Sequence, residues 1–253
     1  MTESTTLTTA RSDGSLTGQV VVVLGGSSGI GLETARQAGA AGARIVITGR
    51  DREKLDAAAG EVGAETVATV DLGDSAGVEG FFAGLPEQID HVLVSGGGPF
   101  YAPITELDFD EARDFVDEHL VGSLRIARLC IGRVRPGGSL TFIGGTGARR
   151  PGVGLSIAAI ATAGLSAIAA NAALELAPVR VNAVAAGFVD TPLSARLLGD
   201  QLEERRAGLR ATLPIRRVVG PEDVAALVVH LMTNGALTGA TYDVDGGQQL
   251  LPG

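Results

Sequence analysis

Short runs of β-branched residues alternate along the chain with Ala-rich stretches whose apolar positions recur at helical spacing. The runs predict strands at Gln19–Leu24, Arg44–Thr48, Thr66–Val70, His91–Val94, Ser139–Ile143, Val179–Val184 and Thr241–Val244. Helices are expected to start roughly at Gly29, Arg52, Ser75, Phe109, Leu155 and Pro221. Strands separated by helices are the pattern of repeated βαβ units, so the expected class is α/β. The expected architecture is one doubly wound domain, a parallel seven-stranded sheet with helices on both faces. A ligand in such a domain sits beyond the carboxyl ends of the strands. Leu193 to Leu213 break the alternation: they are charged, Arg-rich and helical in pattern, with no adjoining strand. They read as a lid-like insertion beside the ligand or as a solvated helix pair.

Composition narrows this picture. With 20 basic and 29 acidic side chains the formal charge is −9, which argues against a nucleic-acid partner. Cys130 is the single cysteine, so no internal disulfide can form and no Cys/His cluster has zinc-ligand spacing. No metal is expected, and a reducing, cytoplasmic setting is. The first fifteen residues are rich in Ser and Thr without an apolar core, and residues 1–15 are expected to be a disordered tail and no signal peptide, with the domain filling 16–253. Ile157 to Leu174 approach the length and apolarity of a membrane span. Thr162, Ser166, Asn171 and the many alanines favour a buried helix, and no membrane partner is expected.

Candidate chemistry starts directly after the first strand, at Gly25-Gly26-Ser27-Ser28-Gly29-Ile30-Gly31. Glycines there let the backbone turn sharply and approach a pyrophosphate, while free N–H groups at the helix start face the anion. The strand before and the helix after make this a Rossmann-type dinucleotide site, and the absence of a following Lys-Ser/Thr excludes a triphosphate P-loop. The second strand ends in Thr48-Gly49-Arg50, a guanidinium where an acidic residue would bind a ribose 2′-hydroxyl. NADP(H) is therefore favoured over NAD(H). Asp51 opposes that unless it caps the following helix.

At this glycine run the chain resembles the short-chain dehydrogenase/reductase family, whose signature is T-G-x-x-x-G-x-G, with Leu24 in place of the Thr. The resemblance covers nearly the whole chain. Asp71-Leu72 resembles the family's adenine-contacting pair, and Ser95-Gly96-Gly97-Gly98 stands where Asn-Asn-Ala-Gly is usual. Arg180-Val181-Asn182-Ala183-Val184-Ala185-Ala186-Gly187, with Val189 and Thr191 beyond it, resembles the segment that positions the nicotinamide end, Ala186 replacing a Pro. Val244-Asp245-Gly246-Gly247 matches the family's C-terminal motif. The resemblance also implies a homodimer or homotetramer built on the small-residue helix from Leu155 to Ala177; the alternative is close packing of that helix on its own sheet.

The resemblance fails at the catalytic centre. The family uses a Tyr whose pKa is lowered by a Lys one helical turn on, with a Ser upstream and an Asn in the preceding helix. Aligned backward from Glu175-Leu176-Ala177-Pro178, the Tyr position falls at Ala158, the Lys position at Thr162, the Ser position at Gly145 and the Asn position at His119. No shift of register restores the motif, because Lys54 is the only lysine and Tyr101 and Tyr242 the only tyrosines. His119 is a candidate proton donor near neutral pH, or a helix residue bridging backbone groups. Tyr101 is a second candidate, or a packed loop residue. Thr146 and Ser156 lie near the vacated positions without an evident base, and Arg149-Arg150 could bind an acidic substrate or simply be solvated.

Three functions are compatible with these residues. The first is an NADP(H)-binding oxidoreductase of unknown small-molecule substrate with an atypical proton donor. The second is a catalytically inactive NADP(H)-binding sensor or scaffold, and the third a non-redox lyase or isomerase using a widened pocket. Fold alone does not choose among them.

Overall fold

Val20–Leu24 (β1) is buried at every position, as a strand covered on both faces requires. The same holds for Ile89–Val94 (β4) and Arg180–Ala186 (β6). A computed structural model of the chain, describing residues 15–251, places these strands in one parallel sheet of order β3-β2-β1-β4-β5-β6-β7. Arg44–Gly49 (β2) and Val134–Gly145 (β5) lie within it. The edges are Thr66–Thr69 (β3) and Thr241–Val244 (β7), short and only partly buried. The expected class and seven-stranded parallel sheet are thus the observed ones. The tail expected over residues 1–15 lies, apart from Ser15, outside the described residues.

Alternation along β1 splits the core in two. Val20, Val22 and Leu24 join one apolar cluster and Val21 and Val23 the other, the period of two that a pleated strand imposes. The first cluster is closed by Ser75–Gly84 (α3), Gly122–Cys130 (α5) and Ser156–Glu175 (α6). The second is closed by Gly29–Ala40 (α1), Arg52–Val62 (α2) and Pro221–Thr233 (α9). Sheet order reverses between β1 and β4, so the crevice at their carboxyl ends is the topological switch point.

Several boundaries differ from the sequence pattern. β5 begins five residues before the expected Ser139, because Ile89 pairs with Val134 before the register shifts to His91 with Ser139. Arg135-Pro136-Gly137-Gly138 reads as a turn and hides that pairing. The helix expected from Phe109 is interrupted: Phe109–Val116 (α4) passes through a π-helical turn, Asp117–Val121, into α5. In that turn the Gly122 N–H reaches the Asp117 carbonyl, five residues back instead of four. Between β6 and α9 lie Pro192–Leu198 (α7) and Leu202–Thr212 (α8), outside the βαβ alternation.

α6 alone among the described helices is long and apolar enough, by length and composition, to cross a membrane. Here it is the crossover helix between β5 and β6, with Ala158, Ala161, Ala169 and Ala172 buried. Toward the amino ends of the strands, buried His91 sits 2.7 Å from Gln19 Oε1 through Nε2 and 2.8 Å from Ser139 Oγ through Nδ1. Oε1 only accepts, so Nε2 carries the proton and Nδ1 takes the hydroxyl's. Burial, with the nearby Arg180 charge, pushes the His91 pKa down to about 3. Arg180, also buried, donates to the carbonyls of Leu231, Met232, Leu237 and Gly137 at 2.5, 2.8, 3.2 and 3.3 Å.

Candidate functional site

The glycine run occupies the crevice at the switch point. Gly25 adopts φ +90° and its N–H and that of Gly26 both donate to the Thr48 carbonyl, at 3.2 and 2.8 Å, which folds the loop back over β2. A Cβ on Gly31 would lie 2.1 Å from the Gly25 carbonyl oxygen, so the α1 start approaches the loop as only glycine permits. Ser28 occupies the N-cap of α1 without a side-chain cap bond. The first N–H groups of α1, from Gly29, Ile30 and Gly31, therefore open onto the loop without a capping side chain, the arrangement that takes a phosphate anion. Ser27 lies against the end of β2, its Oγ 2.9 Å from where a Gly49 Cβ would stand.

Arg50 follows Gly49 directly and is exposed at this edge. Asp51 caps α2, accepting from the Lys54 N–H at 3.2 Å, and its other oxygen lies 3.0 Å from Lys54 Nζ. The carboxylate that could oppose a phosphate is thus engaged as a cap and paired with the lone lysine. Asp71 closes a turn by accepting from the Gly73 N–H at 3.1 Å, and Leu72 packs on Gly96, where a Cβ would meet its Cδ1 at 2.5 Å.

The facing wall of the crevice is the segment after β6. Gly187 donates to the Val244 carbonyl at 3.0 Å and Val189 bridges to Val219. Thr191 caps α7 in a capping box with Ser194, and its methyl lies 3.4 Å from where a Gly29 Cβ would stand. The phosphate loop and this segment therefore face one another across the crevice. Asp190 forms a bidentate pair with Arg206 of α8 at 2.7 and 2.8 Å. Leu193 of α7 reaches the loop after β4, 3.6 Å from where a Gly98 Cβ would stand. Leu193 to Leu213 are thus tied to both sides of the crevice.

His119 lies in the π-helical turn, stacked on Phe115 with ring centroids 3.9 Å apart. Its Nδ1 is 2.9 Å from the Phe115 carbonyl oxygen, which can only accept, so Nδ1 carries a proton. Nε2 then faces Gly97, 2.7 Å from where a Cβ on that glycine would stand. Glu118 Oε1 lies 3.3 Å from the same point. Tyr101 is more exposed than buried, and partial burial raises its hydroxyl pKa above 10, the wrong direction for an acid. Thr162 is engaged structurally, accepting from the Ala148 N–H at 3.0 Å and donating to the Ala159 carbonyl at 3.1 Å. Ser156 is exposed and Thr146 buried. Arg149 pairs with Asp243, and Arg150 donates to the Gln248 carbonyl. Both arginines are tied to the C-terminal segment, Arg149 while still exposed.

A family model described as enoyl-(acyl carrier protein) reductase matches residues 24–249. The chain belongs to the short-chain dehydrogenase/reductase family. It is 28% identical over 239 residues to carbonyl reductase family member 4 of Xenopus tropicalis, covering 92% of this chain and 98% of that one. It is 30% identical over 254 residues to 3beta-hydroxysteroid dehydrogenase 1 of Eggerthella lenta, covering 94% and 96%. Among solved structures, an actinorhodin polyketide ketoreductase with NADPH superposes with a TM-score of 0.85 at 28% identity, covering 92% of this chain and 98% of that one.

The glycine loop before α1 and the segment after β6 line one crevice, and Ala158 and Thr162, where sequence alignment puts the family's Tyr and Lys, both lie on α6. A Cβ at Gly145, the Ser position, would meet nothing closer than 3.5 Å, so the backbone there has kept room for a side chain. Sequence reading missed Glu118 beside Gly97 and the C-terminal contacts of Arg149 and Arg150. The first follows from a π-helical turn that no apolar period announces, and the second from pairings across some hundred residues of chain.

Proposed function

We propose that this chain is an NADP(H)-dependent oxidoreductase of small-molecule carbonyl or alcohol substrates, with His119 as its proton donor and acceptor. The family's nicotinamide cofactor supplies the hydride in reduction and accepts it in oxidation. The loop Gly25 to Gly31 would hold its pyrophosphate, Asp71 and Leu72 its adenine, and Gly187, Val189 and Thr191 its nicotinamide end. Arg50 would pair with a ribose 2′-phosphate, and Asp51, already occupied by Lys54, offers little opposition. The NADPH in the related ketoreductase structure supports the same preference.

The observation that carries the reading is the placement of His119. With Nδ1–H fixed on the Phe115 carbonyl, Nε2 is the atom that faces the crevice by Gly97. As imidazolium it gives a proton to a carbonyl oxygen that gains a hydride, and as neutral imidazole it takes one from an alcohol. Stacking on Phe115 holds the ring, so the donor is positioned before substrate arrives.

The test is a titration with NADPH and NADH, followed by a carbonyl panel with nicotinamide absorbance monitored. NADPH is expected to bind more tightly and to be oxidised in a substrate-dependent way. His119→Ala is expected to lower that rate by at least about tenfold with NADPH affinity kept. An unchanged rate removes His119 from the mechanism, and tight binding without turnover over the panel would turn the reading to a sensor or scaffold.

A further inference from the structure

The residues after β7 fold back over two loops of the crevice. Asp245 accepts from the N–H groups of Gly247 and Gln249 at 2.8 and 2.9 Å, which pins a tight reversal through Gly246 and Gly247 at φ +64° and +85°. Despite desolvation by burial, those N–H groups hold the Asp245 carboxyl below the usual carboxylate range, so the reversal has a charged centre. It delivers Gln248 to the crevice wall. There Gln248 Oε1 accepts the Phe188 N–H at 3.0 Å, and its backbone carbonyl accepts from Arg150 in the loop after β5. The approach is close: a Cβ on Gly187 would stand 2.7 Å from Gln248 Oε1 and 2.7 Å from Asp245 Cβ. Arg149, next to Arg150, is clamped to Asp243 of β7. One short segment therefore braces the loop after β5, which follows directly on Gly145, and the Gly187-to-Thr191 turn after β6.

We propose that Gln248 is a positioning residue for the nicotinamide end of the cofactor, setting the Gly187–Val189 backbone through its bond to Phe188 N–H. The inference rests on the dinucleotide reading above. Phe188 lies between Gly187, whose N–H is held by the Val244 carbonyl, and Val189, which bridges to Val219; its own N–H has a side-chain acceptor instead of a sheet partner, so one amide sets the middle of the turn. Nothing in the bracket touches the phosphate loop or Arg50, which gives it a signature that general loosening of the fold lacks.

The experiment compares binding of NADPH with binding of 2′-phospho-ADP, which carries the adenine, 2′-phosphate and pyrophosphate but no nicotinamide. Gln248→Met keeps the length and loses the acceptor; Gln248→Glu keeps the acceptor. Gln248→Met is expected to weaken NADPH by about fivefold, the size of one lost hydrogen bond, and to leave 2′-phospho-ADP unchanged. Gln248→Glu is expected to restore most of the NADPH affinity. Equal weakening of both ligands would mean loss of fold and overturn the proposal, as would an unchanged NADPH affinity in Gln248→Met. Unaltered protein that binds 2′-phospho-ADP but gains nothing from the nicotinamide half would also overturn it while sparing the phosphate loop. Failure to bind either ligand would instead bring down the dinucleotide reading, and this inference with it.

Discussion

Replacing Gly31 by Ala isolates the phosphate loop from the rest of the site. The added Cβ would lie 2.1 Å from the Gly25 carbonyl oxygen and 2.9 Å from its carbon, where ordinary contact begins near 3.4 Å. Both atoms are backbone, so no side chain can swing away; the start of α1 and the turn at Gly25 must separate by about 1.3 Å, the shortfall against that contact distance. N–H groups set at about 2.9 Å from a phosphate oxygen lose their bonds when displaced that far. Misplacement by about 1 Å costs on the order of 100-fold, or about 2.7 kcal/mol at 1.36 per decade. Gly31→Ala is therefore expected to raise the NADPH dissociation constant at least about 100-fold, read by fluorescence titration, with far-UV dichroism unchanged. Overpacking should also cost about 1–3 kcal/mol of stability in denaturant. A dissociation constant within about threefold of the parent's, in a folded variant, would show that the pyrophosphate does not sit on this loop.

Other parts of the molecule give separate tests. Arg50→Asp should lower the ratio of NADPH to NADH affinity by at least about tenfold in paired titrations, the worth of one charge-assisted phosphate contact, and an unchanged ratio would discard the 2′-phosphate assignment. His91 has a folded pKa near 3 against 6.5 when unfolded, so only the unfolded chain gains the proton between those values. Its contribution to stability is whole above about pH 6.5 and falls as pH drops, by up to about 1.4 kcal/mol per unit down to about pH 3. Denaturant melts of His91→Gln should show a shallower acid limb. Arg180→Met leaves the Leu231, Met232 and Gly137 carbonyls without their side-chain donor, while that of Leu237 keeps Asn182 Nδ2, and should cost about 3–5 kcal/mol in the same melts, a loss under 1 kcal/mol counting against the network. Val121, Leu124 and Ile160 are large apolar side chains left exposed on α5, α6 and the π-helical turn, and sedimentation is expected to show a homodimer or homotetramer; monomer alone at working concentration would reject that assembly.

The sheet was legible because each buried strand carries its own apolar run: β1 and β6 are buried throughout and read as such in sequence. The tight turn of the glycine loop was legible for a related reason, since its glycines answer to local backbone needs at Gly25 and Gly31. Asp51 could be weighed as a cap from its place before α2. What escaped reading depends on partners distant in sequence. Arg149 and Arg150 look like free cations until Asp243 and the Gln248 carbonyl arrive beside them. The first residues of β5 look like a turn until Ile89 pairs with Val134. The orientation of His119 depends on a helical winding that composition does not encode.

That winding separates site from core mechanically. A π-helical turn holds one residue more than an α-helical turn, so removing one residue there closes it to ordinary helix with the flanking helices still in phase. Deleting a single residue between Asp117 and Val121 would leave Ile126, Ala127 and Cys130 on the core face they close, and would take out the wide turn that brings the imidazole beside Gly97. The wide turn is in effect a vernier, which sets position 119 against Gly97 without shifting the packing of the sheet. Point substitutions can change what stands at position 119, while a one-residue deletion there would move the ring and spare the core.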